Sequence, residues 1–149
     1  MADLTQTEEV DMYKKILIPI ALDHSKSDKG VDPVAVARQL GGPDATLVLF
    51  HVVDDIPPFV MAEIPVELAE RAFENAQADM AAKVESLGID AQAVVVRGNA
   101  GVTIVDYAKD NGVDCIAMAS HRPELVDYLL GSTAARVVRH ATCSVHVIR

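Results

Sequence analysis

Short aliphatic runs recur along this chain, and between them lie stretches whose apolar positions fall three or four residues apart. The first run, Tyr13–Ile20 (YKKILIPI), reads as a strand entered through paired lysines. Further strands are expected at Ala45–Val53 (ATLVLFHVV), Ile89–Val96, Cys115–Ala119 and Ser144–Ile148. Helical spacing covers Val31–Leu40, Val66–Leu87, Asn99–Asn111 and Ser132–His140. Pro33 is tolerated because the first turn of a helix needs no N–H from it. Gly88 stands where a left-handed helix cap belongs, and Gly112 ends the next helix. In the longest helix Leu68, Ala72, Ala76, Met80 and Val84 recur every four residues, a stripe expected to pack on the core.

Strands that alternate with helices imply parallel βα units joined by right-handed crossovers. The fold class is therefore α/β, a doubly wound, mainly parallel five-stranded sheet. Ligands of such sheets sit at the carboxyl ends of the strands, where the winding reverses. That directs attention to the loops after Ile20, Val53 and Ala119. The first is polar (Ala21–Gly30). The second, Asp54–Pro65, reads as an irregular loop that exposes Ile56, Pro57, Pro58, Phe59, Val60 and Met61, a candidate surface for a protein partner.

Composition sharpens this reading. Half of the residues are apolar but only 4% are aromatic, so the core must be aliphatic, as a sheet buried on both faces requires. The chain has 149 residues, one domain's worth, with 1–12 expected as a loose polar tail and 13–149 as the domain. A net charge of −9 argues against a general nucleic-acid surface, which needs clustered Lys and Arg. Any phosphate site must rest on local donors, and Arg122, Arg136 and Arg139 lie in the right third of the chain. No apolar run approaches the ~20 residues of a membrane span, so no membrane partner and a cytoplasmic location are expected. Cys115 and Cys143 read as reduced, small core residues. The five histidines show no zinc spacing with them.

The chemistry concentrates in the last third. The run Cys115–Ala119 stops at Ser120-His121-Arg122-Pro123, and Gly131-Ser132-Thr133 opens a helix. A strand, a turn of small residues and a helix N-terminus together present backbone N–H groups and a positive dipole end to one point, a way of holding phosphate. The chain has no P-loop lysine and no GxGxxG. Two readings of Gly131-Ser132 stand: donors for a phosphate, or plain capping with Ser132 as the N-cap. Ser120 and Arg122 are either ligands for ribose and phosphate or a solvated turn held by Pro123. His121 lacks an identifiable third group that would orient it as a base. His51 reads as a structural histidine.

With these elements placed, Tyr13–Arg149 closely resembles the universal stress protein family. The resemblance is carried by KKILIPI, by His51-Val52 and above all by MASHRPELVDYLLGSTAARVVRHATCSVHVIR. It implies strand order 3-2-1-4-5, an adenine nucleotide (ATP or AMP, with or without Mg²⁺), and a homodimer joined through Ser144–Ile148. The activity it implies is nucleotide-responsive stress regulation, with slow ATP hydrolysis at most. In this picture Pro19, Ala21 and Asp23 form one wall, with Asp23 either a ribose or metal partner or a plain loop carboxylate, and the Val52 backbone meets the adenine edge; Met118 packs either on the base or in the core. Ala119, Ser120, His121 and Arg122 follow the fourth strand, and Gly131, Ser132 and Thr133 receive phosphate.

Two departures from the family's binders stand out. Their Gly-x-x-Gly, nine residues, Gly-Ser/Thr motif keeps only Gly131-Ser132 here. Ala119 replaces the first glycine and the second is deleted. The shortened turn resembles a subgroup of small bacterial stress proteins with Ser-His-Arg-Pro and Leu-Leu-Gly-Ser, in which binding persists. The aspartate that binders carry two residues after the strand-one proline is Ala21 here, with Asp23 as the nearest substitute. These departures leave open a dimeric interaction module without nucleotide, or another small anion in the same crevice.

Overall fold

The computed structural model describes residues 12–22, 31–120 and 130–149. Five strands form the sheet: β1 (Lys15–Pro19), β2 (Thr46–Asp54), β3 (Ala91–Gly98), β4 (Cys115–Ala119) and β5 (Ser144–Ile148). The helices are α1 (Pro33–Gly41), α2 (Pro58–Met61), α3 (Val66–Leu87), α4 (Ala100–Asp110) and α5 (Ser132–His140). The order is β3-β2-β1-β4-β5 and every pairing is parallel, so the winding reverses between β1 and β4.

Alternate strand residues point to opposite faces, and each face has its own core. Leu17, Val48, Phe50, Ile116 and Met118 pack under α4 and α5 with Ile104, Ala108, Ala134 and Val137. Ile16, Ile18, Leu47, Leu49, Cys115 and Ala117 pack under α1 and α3 with Val34, Ala37 and Met80. Phe50 also stacks on Tyr107 of α4, with ring centroids 4.6 Å apart. Among the described residues Phe50 is the one fully buried aromatic side chain, and the otherwise aliphatic core follows from the composition.

Several local boundaries differ from the periodicity. α1 starts at Pro33 because Asp32 caps it, accepting from the Val34 N–H at 3.0 Å. Val31 is left outside and exposed. The segment expected as an irregular loop holds a single helical turn, α2, since Pro58 presets the helical φ at its first position. The Leu68-to-Val84 stripe is only half right. Ala76 and Met80 are buried and Val84 packs on the core, but Leu68 is 58% exposed and Ala72 is also exposed. A strict four-residue repeat drifts by about 40° per step around a helix of 3.6 residues per turn, so it cannot stay on one face. The upper part of α3 turns Ala69 and Phe73 inward instead. There Arg97 of β3 lies over the Phe73 ring at 4.8 Å and donates to the Ala69 carbonyl at 3.3 Å.

The seam between β1 and β4 is asymmetric. At its amino end Asp114 accepts from the Lys14 N–H (2.8 Å) and the Lys15 N–H (3.0 Å), and its own N–H donates to the Lys15 carbonyl (3.1 Å). Register pairing then runs only through Ile16↔Cys115 and Leu17↔Ile116. Toward the carboxyl end the strands turn to their outer neighbours. The Ile20 N–H donates to Phe50 of β2 at 2.9 Å, and the Ser120 N–H donates to Ile148 of β5 at 2.8 Å.

Candidate functional site

That divergence opens a cavity of about 390 Å³ at the carboxyl ends of the strands, at the point where the winding reverses. Pro19, Ile20 and Ala21 form one wall, and Met118, Ala119 and Ser120 the opposite one. Phe50, His51, Val52 and Asp54 come from the end of β2, and Gly131, Ser132, Thr133 and Ala134 from the start of α5. Nine of the twelve residues singled out from the sequence line this cavity: Pro19, Ala21, Val52, Met118, Ala119, Ser120, Gly131, Ser132 and Thr133. Asp23, His121 and Arg122 lie outside the described residues.

The head of α5 is the most telling part. Gly131 occupies the cap position with φ −57° and ψ 157°, and no side chain caps the helix. Ser132 is the first helical residue and not the N-cap, which removes the capping role considered for it above. The first backbone bond of the turn runs from the Ala135 N–H to the Gly131 carbonyl at 2.9 Å. The N–H groups of Ser132, Thr133 and Ala134 precede that ladder, so they are the donors a helix start leaves over. α4 is different, because its Asn99 side chain accepts from the Val102 N–H at 3.3 Å. One helix satisfies its own start, while the other presents its start to the cavity. Space is available too: a Cβ added at Gly131 meets nothing within 4 Å.

His51 has the structural role expected of it. Its Nδ1 donates to the Ile20 carbonyl across 2.9 Å, which ties the ends of β1 and β2 together. It also lines the cavity, as do Ile20, Phe50, Asp54, Ala100, Ile104 and Ala134, none of which sequence reasoning assigned to the site. Ala100 and Ile104 arrive because α4 packs beside α5 on the same face of the sheet, a tertiary fact that periodicity does not carry. Asp54 follows directly on the Val52-Val53 strand end and was legible as a residue of the second carboxyl-end loop.

Cys115 stands apart from this chemistry. It is buried near the amino end of β4, and its thiol is pushed up from 9.0 to about 11 by burial, then by Cys143 and Asp114. Burial also raises the Cys143 thiol. Both cysteines are free, as expected. Among the described residues no cluster of His, Cys, Asp and Glu could hold a metal ion, and no helix is long and apolar enough to cross a membrane.

An all-parallel 3-2-1-4-5 sheet with a cavity at its switch point defines a nucleotide-binding type of α/β fold. Residues 12–149 match the universal stress protein family, and the chain belongs to it. The universal stress protein A homolog 2 of Coxiella burnetii is 34% identical over 145 residues, covering 94% of this chain and 97% of the relative. The structure of universal stress protein UspA from Lactobacillus plantarum aligns with a TM-score of 0.71 and 25% identity, over 92% of this chain and 98% of that one. More distant members share the fold. The Archaeoglobus fulgidus universal stress protein in complex with dAMP has a TM-score of 0.60 at 17% identity, over 93% of this chain and 99% of that one. An Arabidopsis thaliana family protein with AMP bound has a TM-score of 0.57 at 17% identity, over 91% and 90% of the two chains.

Proposed function

We propose that this protein is a nucleotide-responsive regulator that binds ATP or AMP in the crevice between β1 and β4. The observation that carries the proposal is the uncapped start of α5, which opens into a cavity at the switch point of the sheet. Gly131, Ser132 and Thr133 receive the phosphate nearest the ribose, helped by Ser120, His121 and Arg122. The backbone of Val52 meets the adenine edge, and Met118 packs against the base. Pro19, Ala21 and Asp23 flank the ribose, with Asp23 in place of the aspartate that Ala21 lacks. Bound complexes of distant family members with dAMP and AMP support the ligand class.

The protein acts by occupancy and not by rapid turnover. Nucleotide occupancy shifts the population of states only as far as the nucleotide prefers one of them. The unit is a cytoplasmic homodimer joined along β5, an edge strand whose outward N–H and C=O groups invite pairing.

Calorimetric titration of nucleotide-stripped protein with ATP and with AMP, each with and without Mg²⁺, tests the reading. Micromolar binding, about 8 kcal/mol, is expected. No heat and no thermal shift at millimolar nucleotide would overturn it in favour of an interaction module without nucleotide, which the Ala21 departure favours. Light scattering of the intact chain checks the dimer, and a proline at Val147 should dissociate it.

A further inference from the structure

A second cavity of about 510 Å³ adjoins the crevice. It lies in the groove between α4 and α5 and shares Asp54, Ala100, Ser132 and Thr133 with the first. Beyond this common wall the lining changes character: Arg136, Arg139 and His140 of α5 face Asn99 and Gly101 of α4. These positions follow Ser132 at helical spacing, so they continue one stripe down α5 from the residue that opens the helix. Gly101 permits the close approach: a Cβ there would stand 2.7 Å from Cδ and 3.1 Å from Cβ of Arg136. The Arg136 stem is thus laid against α4. In a chain of net charge −9 the groove reverses the local sign. Among the described residues that line it, Asp54 is the one carboxylate, and it sits at the junction with the crevice.

We propose that this groove is a subsite for the outer phosphates of a nucleoside oligophosphate whose inner phosphate rests on Gly131–Thr133. The inference depends on the nucleotide reading of the crevice. With a rise of 1.5 Å per residue, Arg136 lies about 6 Å and Arg139 about 10 Å along α5 from Ser132, distances that a short polyphosphate chain spans. Each guanidinium is permanently charged and can bind phosphate oxygens in pairs. Asp54 repels phosphate at the junction, which directs the chain along α5 and away from β2. Arg136 and Arg139 are exposed, so each contact is weakened by solvent.

The test is calorimetry on the intact chain with AMP, ADP, ATP and adenosine tetraphosphate, first without Mg²⁺. Wild type is compared with Arg136→Gln/Arg139→Gln and with Arg136→Lys/Arg139→Lys. Affinity should rise about 10-fold from AMP to ATP, the scale of one charge-assisted contact, and rise again with the fourth phosphate. The Gln variant should bind AMP like wild type and lose the rise, and the Lys variant should keep part of it. Equal affinity for AMP and ATP would overturn the subsite while leaving the nucleotide reading intact. So would a rise that survives in the Gln variant, since the helix start alone would then account for it. Binding of inorganic tripolyphosphate without AMP would place an independent anion site here and overturn the nucleoside link. If no nucleotide binds at all, both readings fall together. Because both arginines are exposed, an unchanged thermal midpoint for the apo variants confirms that folding is intact.

Discussion

The two ends of the β1–β4 seam are built from the same pair of strands and do opposite things. At the amino end one carboxylate, Asp114, gathers two backbone N–H groups from Lys14 and Lys15 and locks the strands together. At the carboxyl end Ile20 bonds to β2 and Ser120 to β5, and the seam stands open. The closed end has its donors satisfied within the chain, whereas the open end leaves the N–H groups of α5 facing a cavity. A parallel sheet whose winding reverses thus separates stability from ligand binding along a single seam. Each end can be broken without the other.

The largest expected effect is at the open end. Gly131→Glu places a carboxylate where phosphate should sit, and its φ of −57° and open surroundings allow the side chain. Nucleotide affinity should fall more than about 100-fold, about 2.7 kcal/mol, with the apo melting temperature unchanged. An equal loss of apo stability would show that the two ends are not separable. Next comes the closed end. Asp114→Ala strips two charge-assisted hydrogen bonds and should cost about 2–3 kcal/mol in urea unfolding, with AMP affinity retained per folded molecule.

Cys115 sharpens the comparison further. Its thiol is pushed up to about 11 from 9.0, so the folded state holds its proton more tightly than the unfolded chain. The sign is therefore fixed: stability is fully present below about pH 9 and declines as pH rises toward 11. The decline attributable to this thiol is on the order of 2 kcal/mol, read as the difference between wild type and Cys115→Ala across that range. The smallest effect is expected far from the seam, where Leu68→Gln on the exposed side of α3 should change stability by less than about 0.5 kcal/mol.

Much of this architecture was legible because each aliphatic run is short and each helix is bounded by a recognisable stop. α3, β4, α5 and β5 lie where their patterns put them. Gly88 takes the left-handed conformation, φ 61°, that its place after α3 demands. What pattern could not supply was angular position and contact across the sheet. The four-residue stripe of α3 wandered off the core at Leu68 and Ala72. Asp114 carries no signal in the sequence, since its partners lie about a hundred positions earlier in the chain. Ser120 and Gly131 were legible as turns at the carboxyl edge, and Pro19 and Val52 through the resemblance to the family; all four line the cavity. Ala100 and Ile104 were not, because they reach the site only when α4 and α5 dock; Arg136 and Arg139 were legible as local donors, but the groove they line was not.

The bond from the Ser120 N–H to the Ile148 carbonyl has a practical consequence for anyone handling this protein. All strands run the same way, so Arg149 emerges beside the crevice, while Met12 and Tyr13 emerge at the far, clamped end. A purification handle or fluorescent reporter fused after Arg149 pulls on the rim of the site itself. A fusion ahead of Met1 enters the described fold at Met12, at the opposite end of the sheet.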